Sequence, residues 1–239
     1  MLRIKFSAGR EFSASQSASS PSAKTLPASN MSTTFNIIPT KIDNSLTFQN
    51  VLTLAKQTLE NQLGKLSINL SVDILVNIHD NKEAYVNDIS SNTKFIWAEN
   101  EYAWFTVDKS NGGTDAYCEK LSERLSDWEN YIEDTLDNTM VTPQLKQQII
   151  DCEYEWYFRR SAGQSPMISL AYGHLTAAVA RLTNGYIYTY DGAWHDNIFP
   201  ATAEQLLEVY FYPDKAKDVA DYDWVTKCIE GLKFDLASR

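Results

Sequence analysis

The chain has 239 residues with 44% hydrophobic and 12% aromatic side chains, enough apolar material for a sizeable core. No apolar run approaches the roughly 18–20 residues that a bilayer span requires, so a soluble protein is expected. The formal charge is −10, and the first thirty residues offset it with Arg3, Lys5, Arg10 and Lys24 against Glu11 alone, which leaves −13 on residues 31–239. Such a field opposes nucleic acid and anionic lipid and favours basic partners.

Residues 1–31 are Ser- and Ala-rich, with too little apolar surface to offset the entropy of ordering, and read as a disordered tail or a non-native extension. Their basic, Ser-rich character also fits a transit peptide. A single α+β domain is expected over 32–239. Asn44 or Ser45 caps a first helix that carries Phe48, Val51, Leu52, Ala55, Leu59 and Leu63 at helical spacing and stops at Gly64. Alternation from Leu66 to Ile78 then predicts a long strand with one buried face. Shorter strands are expected at 84–89, 93–98 and 101–107, and their short connections make the sheet an antiparallel β meander. Tyr117, Leu121, Leu125, Trp128, Ile132 and Leu136 form a stripe that predicts a helix. Thr142-Pro143 opens a second helix, read through Leu145, Ile149, Cys152 and Trp156, and the pair is expected to form a helical hairpin. A more apolar helix follows over 167–183, then Asn184-Gly185 and a short late strand at 186–190. Thr202-Ala-Glu-Gln205 has capping-box spacing and starts a helix, and a last helix spans about 221–232.

Cys118, Cys152 and Cys228 are odd in number and widely spaced, and no Cys-x-x-Cys pair suggests zinc or a redox dithiol. A reducing, cytoplasmic setting fits them, with one disulfide left open. His79-Asp80 and His195-Asp196 fall at a strand end and in a loop, and His174 lies inside a helix without a second ligand at i+4. Gly163-Gln-Ser165 lacks the glycine context of a nucleophile elbow. No catalytic residue, metal or cofactor is therefore expected; the alternative is a small metal-dependent hydrolase using Asp191, His195 and Asp196.

Two features point instead to binding. Glu129, Glu133, Asp134 and Asp137 share one predicted helix with no basic residue between Asp127 and Asp137. Like charges at i,i+4 weaken a helix, so the acidic face reads either as a solvated surface or as a site for a basic partner. The aromatic runs Phe95-Ile-Trp97, Tyr102-Ala-Trp104-Phe105 and Trp156-Tyr-Phe158 are read first as core packing, but adjacent rings cannot all face one core, so some are candidates for an interface.

The stretch Ala178-Val-Ala-Arg-Leu-Thr-Asn-Gly-Tyr-Ile-Tyr-Thr-Tyr-Asp-Gly-Ala-Trp194, with Phe199-Pro-Ala-Thr-Ala-Glu-Gln-Leu-Leu207 and Tyr210-Phe211, resembles a segment of immunity proteins from bacterial polymorphic-toxin and contact-dependent killing systems. The likeness covers about 35 residues. It implies a non-enzymatic protein that binds and neutralises a cognate toxin domain, and it brings no catalytic residues. Within it Asp191, Gly192, Trp194, Pro200 and Thr202 are expected to hold a strand-to-helix corner: Gly192 permits the turn, Asp191 bonds nearby backbone, Trp194 packs the corner, and Pro200 and Thr202 set the helix entry.

Overall fold

The computed structural model describes residues 32–80, 92–121, 132, 135–136 and 141–237. The tail, the expected strand at 84–89 and the acidic residues Glu129, Glu133, Asp134 and Asp137 lie outside the described residues. The architecture is α+β, with a six-stranded antiparallel sheet and five helices among the described residues. The strands are β1 (Thr33–Ile38), β2 (Ile74–Asp80), β3 (Glu101–Val107), β4 (Thr114–Lys120), β5 (Tyr154–Arg160) and β6 (Tyr186–Tyr188), in the spatial order β2-β3-β4-β5-β1-β6. The first four in that order form a meander. β1 then enters between β5 and β6, with Phe35 opposite Phe158 and Ile37 opposite Ile187.

The helices are α1 (Phe48–Lys65), α2 (Pro143–Ile150), α3 (Pro166–Leu182), α4 (Ala203–Val209) and α5 (Val219–Ala237). α3 is central. It is apolar all round, with every residue from Met167 to Ala180 buried, as expected of a helix that meets neighbours on all sides. It packs against α1, α4, α5 and the inward face of the sheet. Gly173 is what lets α4 and its exit approach: a Cβ there would lie 2.1 Å from the Tyr210 ring. Phe35, Phe105, Trp156 and Phe158 fill the space between α3 and the sheet, each close to fully buried.

A smaller core lies on the other side of the sheet, where Ile38 and Tyr188 meet Leu121, Ile132, Leu136, Ile149 and Cys152. Ile132, Leu136 and α2 thus overlie the β1–β6 end of that face. Cys118, Cys152 and Cys228 are free thiols. No helix is long and apolar enough to cross a membrane among the described residues.

Several local expectations need correction. β1 lay unnoticed in Thr-Thr-Phe-Asn-Ile-Ile beside the polar tail. Thr47, not Asn44 or Ser45, caps α1, its hydroxyl accepting from the Asn50 N–H at 3.2 Å. Alternation from Leu66 to Val72 does not make a strand. Ser67 adopts φ 61°, and the Ser71 hydroxyl and Val72 N–H donate to the Glu60 carboxylate, while Ile68 and Val72 still point inward. Residues 93–98 contribute only the single bridge Thr47–Lys94. Tyr117 belongs to the strand β4 rather than to a helix, and the helix from Pro143 ends at Ile150, so Trp156 belongs to β5; Leu125 and Trp128 of the expected first helix, and with them the expected hairpin, lie outside the described residues. Thr114, Ala116 and Cys118 point inward with Trp156, Phe158 and Arg160. That period of two prevails because both segments find strand partners, β4 between β3 and β5.

Candidate functional site

Strand alternation decides which aromatics leave the core. In β3, Ala103, Phe105 and Val107 face inward, so Tyr102, Trp104 and Thr106 face the opposite side. In β4 and β5 the outward residues are Asp115, Tyr117 and Glu119, and Glu155, Tyr157 and Arg159. Register then aligns them into transverse rows. His79 lies opposite Tyr102, Tyr117 opposite Tyr157, Tyr157 opposite Asn36, and Asn36 opposite Tyr188. The rings follow: His79 stacks on Tyr102 at 5.2 Å, Tyr102 meets Tyr117 at 6.0 Å, and Tyr117 stacks on Tyr157 at 4.6 Å with planes 11° apart. One aromatic row therefore crosses β2 to β5 and runs on to Tyr188 on β6.

A second row holds Asn77, Trp104, Asp115, Arg159 and Thr34. Asp115 is nearly buried and fully engaged: Arg159 Nε lies 3.1 Å away and the Tyr117 hydroxyl donates to it at 2.9 Å. Burial, then the Asp115 carboxylate, pushes the Tyr117 phenol up to about 12. Burial, then Glu119, also raises Tyr157. Both phenols therefore stay protonated at neutral pH. Trp104 is half-buried, its ring seated on Gly113, where a Cβ would meet the indole at 2.5 Å. Leu75, on the same face of β2, is 52% exposed. Together these residues form a broad surface of half-buried aromatic and exposed aliphatic groups with one engaged ion pair at its centre.

The Asp-Gly-Ala-Trp corner is built as follows. The Asp191 carboxylate accepts from the Thr34 N–H and the Thr189 hydroxyl, both at 2.9 Å, and so ties the corner to β1. Gly192 adopts φ 70°. Trp194 is buried between His195, stacked at 4.8 Å, and Tyr210, edge-on at 5.0 Å. Phe199–Pro200 is a cis peptide, and Ala201 exchanges both backbone hydrogen bonds with Ile187. Thr202 and Gln205 form a reciprocal capping box that opens α4. The Asp191 carboxylate is thus engaged by the backbone and His195 is buried on an indole. No group of three His, Cys, Asp or Glu is placed to hold a metal among the described residues.

No family model, curated protein or solved structure matches the chain. The site is therefore read from its own chemistry.

Of the two surfaces expected from sequence, the acidic helix lies outside the described residues and the aromatic runs divide between core and surface. Tyr117 was missed because its segment reads as a helix, and Tyr157, within the run Trp156-Tyr-Phe158, could not be assigned to the outward face for the same reason. Period-two alternation of Ala116 and Cys118 against Tyr117 and Glu119 carried the signal. A separate cleft of about 560 Å3 lies between α1, α3 and α4, floored by Gln62 and His174. Its walls carry Lys65, Lys215, Glu208 and the Arg181–Glu204 ion pair, long side chains of both signs.

Proposed function

We propose that the protein is a non-enzymatic binding protein of the immunity type, which neutralises a cognate bacterial toxin domain by occluding it with the outward face of its sheet. The observation that carries this reading is the row His79–Tyr102–Tyr117–Tyr157 beside Trp104 and Leu75. Tyrosine and tryptophan held rigidly at a surface lose little entropy on binding and dominate interface energetics. A sheet face bearing aromatics also suits single-stranded nucleic acid, but a chain with net charge −10 repels phosphates. The same charge favours a basic protein partner and speeds its association. Likeness of residues 178–211 to immunity proteins supplies the class of partner, and a cytoplasmic site of action follows from it. No observation favours the alternative hydrolase at Asp191, His195 and Asp196.

Co-expression with the toxin domain encoded beside its own reading frame tests the proposal. The chain should restore growth and co-purify with that domain. Trp104→Ala combined with Tyr102→Ala should weaken the complex at least about 30-fold, the size of a hot-spot loss, at an unchanged fold by circular dichroism. Full protection by the double variant would remove the sheet face from the interface.

A further inference from the structure

The aromatic row ends at a concavity beside the Asp-Gly-Ala-Trp corner. Its volume is about 370 Å3, and Tyr188, Tyr190, Phe199, Pro200, Gly192, Thr189 and Thr135 line it. Tyr188 and Tyr190 meet at 5.2 Å with planes 71° apart, so two rings stand as adjacent walls of a box. Tyr188 is fixed in the smaller core, and Phe199 is braced by Phe35 at 5.8 Å. Tyr190 is the odd member: 71% exposed, yet positioned by a 3.0 Å contact between its hydroxyl and that of Thr135. An exposed tyrosine held this way is a prepared contact surface.

Among the described residues no basic side chain lines the concavity. Aromatic faces set at right angles, without a competing cation and in a chain of net negative charge, attract ammonium and guanidinium groups through the ring quadrupoles. An aliphatic or proline side chain would gain from the rings but not from the charge.

We propose that this concavity is a cation-binding subsite that receives an arginine or lysine side chain of the partner. The subsite stands on its own geometry; only the identity of the partner rests on the immunity-type reading. Arginine and lysine are the residues in which a partner of an acidic chain is expected to be rich, and either side chain is small enough for the space.

The test uses the full chain labelled with 15N and titrated with Nα-acetyl-arginine amide, with Nα-acetyl-citrulline amide as the uncharged isostere. Saturable shifts of the Gly192 and Ala193 amides are expected with the arginine probe and at least about fivefold weaker binding with citrulline. Tyr190→Leu should weaken the arginine response about tenfold, whereas Tyr190→Phe, which keeps the ring and loses only the Thr135 contact, should bind within about twofold of the parent. Because Tyr190 is exposed, both variants should keep the parent spectrum away from the corner. No saturable shift, equal response to citrulline, or equal loss in both variants would overturn the subsite. If the probe binds as expected but Tyr190→Leu still protects fully against the toxin, the subsite holds and its assignment to that partner falls.

Discussion

Replacing His174 with glutamine should remove an acid sensitivity built into the centre of the helical layer. His174 is 1% exposed on α3, and burial pushes its pKa down to about 3. Its neighbours explain which proton it keeps. Gln62 Nε2 donates to the Tyr210 carbonyl at 2.7 Å, so Gln62 Oε1 faces His174 Nε2 at 2.6 Å, and that nitrogen carries the ring hydrogen. Nδ1 faces the Thr58 hydroxyl at 2.9 Å. The neutral ring thus joins α1 to α3, and through Gln62 to the end of α4. In the unfolded chain the same imidazole titrates near about 6.5. The folded pKa is the lower one, so the contribution is fully present above about 6.5, is lost as pH falls, and levels off below about 3 where both states bind the proton. Between pH 7 and pH 5 the loss works out at about 2 kcal/mol, from about 1.4 kcal/mol per pH unit over the part of the interval below 6.5.

Urea unfolding at pH 7 and pH 5 reads this directly. With a slope of about 2–3 kcal/mol per molar, the parent midpoint should fall by roughly 0.7–1 M. Asp221, whose pKa is raised mainly by burial, acts in the opposite direction and is common to parent and variant. His174→Gln should start lower at pH 7, having lost part of the bridge, and then fall much less. An equal fall in parent and variant would refute the reasoning, since it would mean that His174 takes up its proton without leaving the fold.

Two further outcomes follow from contacts of the same kind. Gly173→Ala places a methyl 2.1 Å from a buried Tyr210 ring whose hydroxyl is bonded to the Ser169 carbonyl, so the ring cannot yield, and the variant should lose about 2–3 kcal/mol in denaturant unfolding. Asp191→Ala leaves the Thr34 N–H without its acceptor and should cost about 1–2 kcal/mol, read as a lower melting temperature, with no change in the metal content of the purified protein.

Much of the fold was legible because local and tertiary preferences agree. The Thr142-Pro143 start, the apolar run of α3 and the Thr202–Gln205 box each specify one conformation by themselves, and all three appear. β4 and β5 were illegible for the opposite reason. Tyr117-Leu121 and Ile149-Cys152-Trp156 satisfy helical spacing by coincidence, and only pairing with distant strands settles the matter: β5 bonds to β1 more than a hundred residues earlier. The Leu66–Val72 alternation misled in the reverse sense, since an extended segment can turn alternate residues inward without a strand partner. The same misreading hid the candidate site, because a residue placed on the wrong kind of element is assigned to the wrong face.

The Asp-Gly-Ala-Trp corner and the face that carries the aromatics are not independent parts. Asp191 fixes the first residues of β1, β1 pairs with β5 and β6, and β5 supplies Tyr157 and Arg159 to the outward face. A break at the corner would free one end of β1 and loosen the register that stacks Tyr157 on Tyr117. Within this stretch Asp191 and Trp194 are engaged by the fold, whereas Tyr190 stands exposed beside them. If the proposed subsite holds, loss of binding with preserved stability marks Tyr190 within this stretch, and loss of both together marks Asp191.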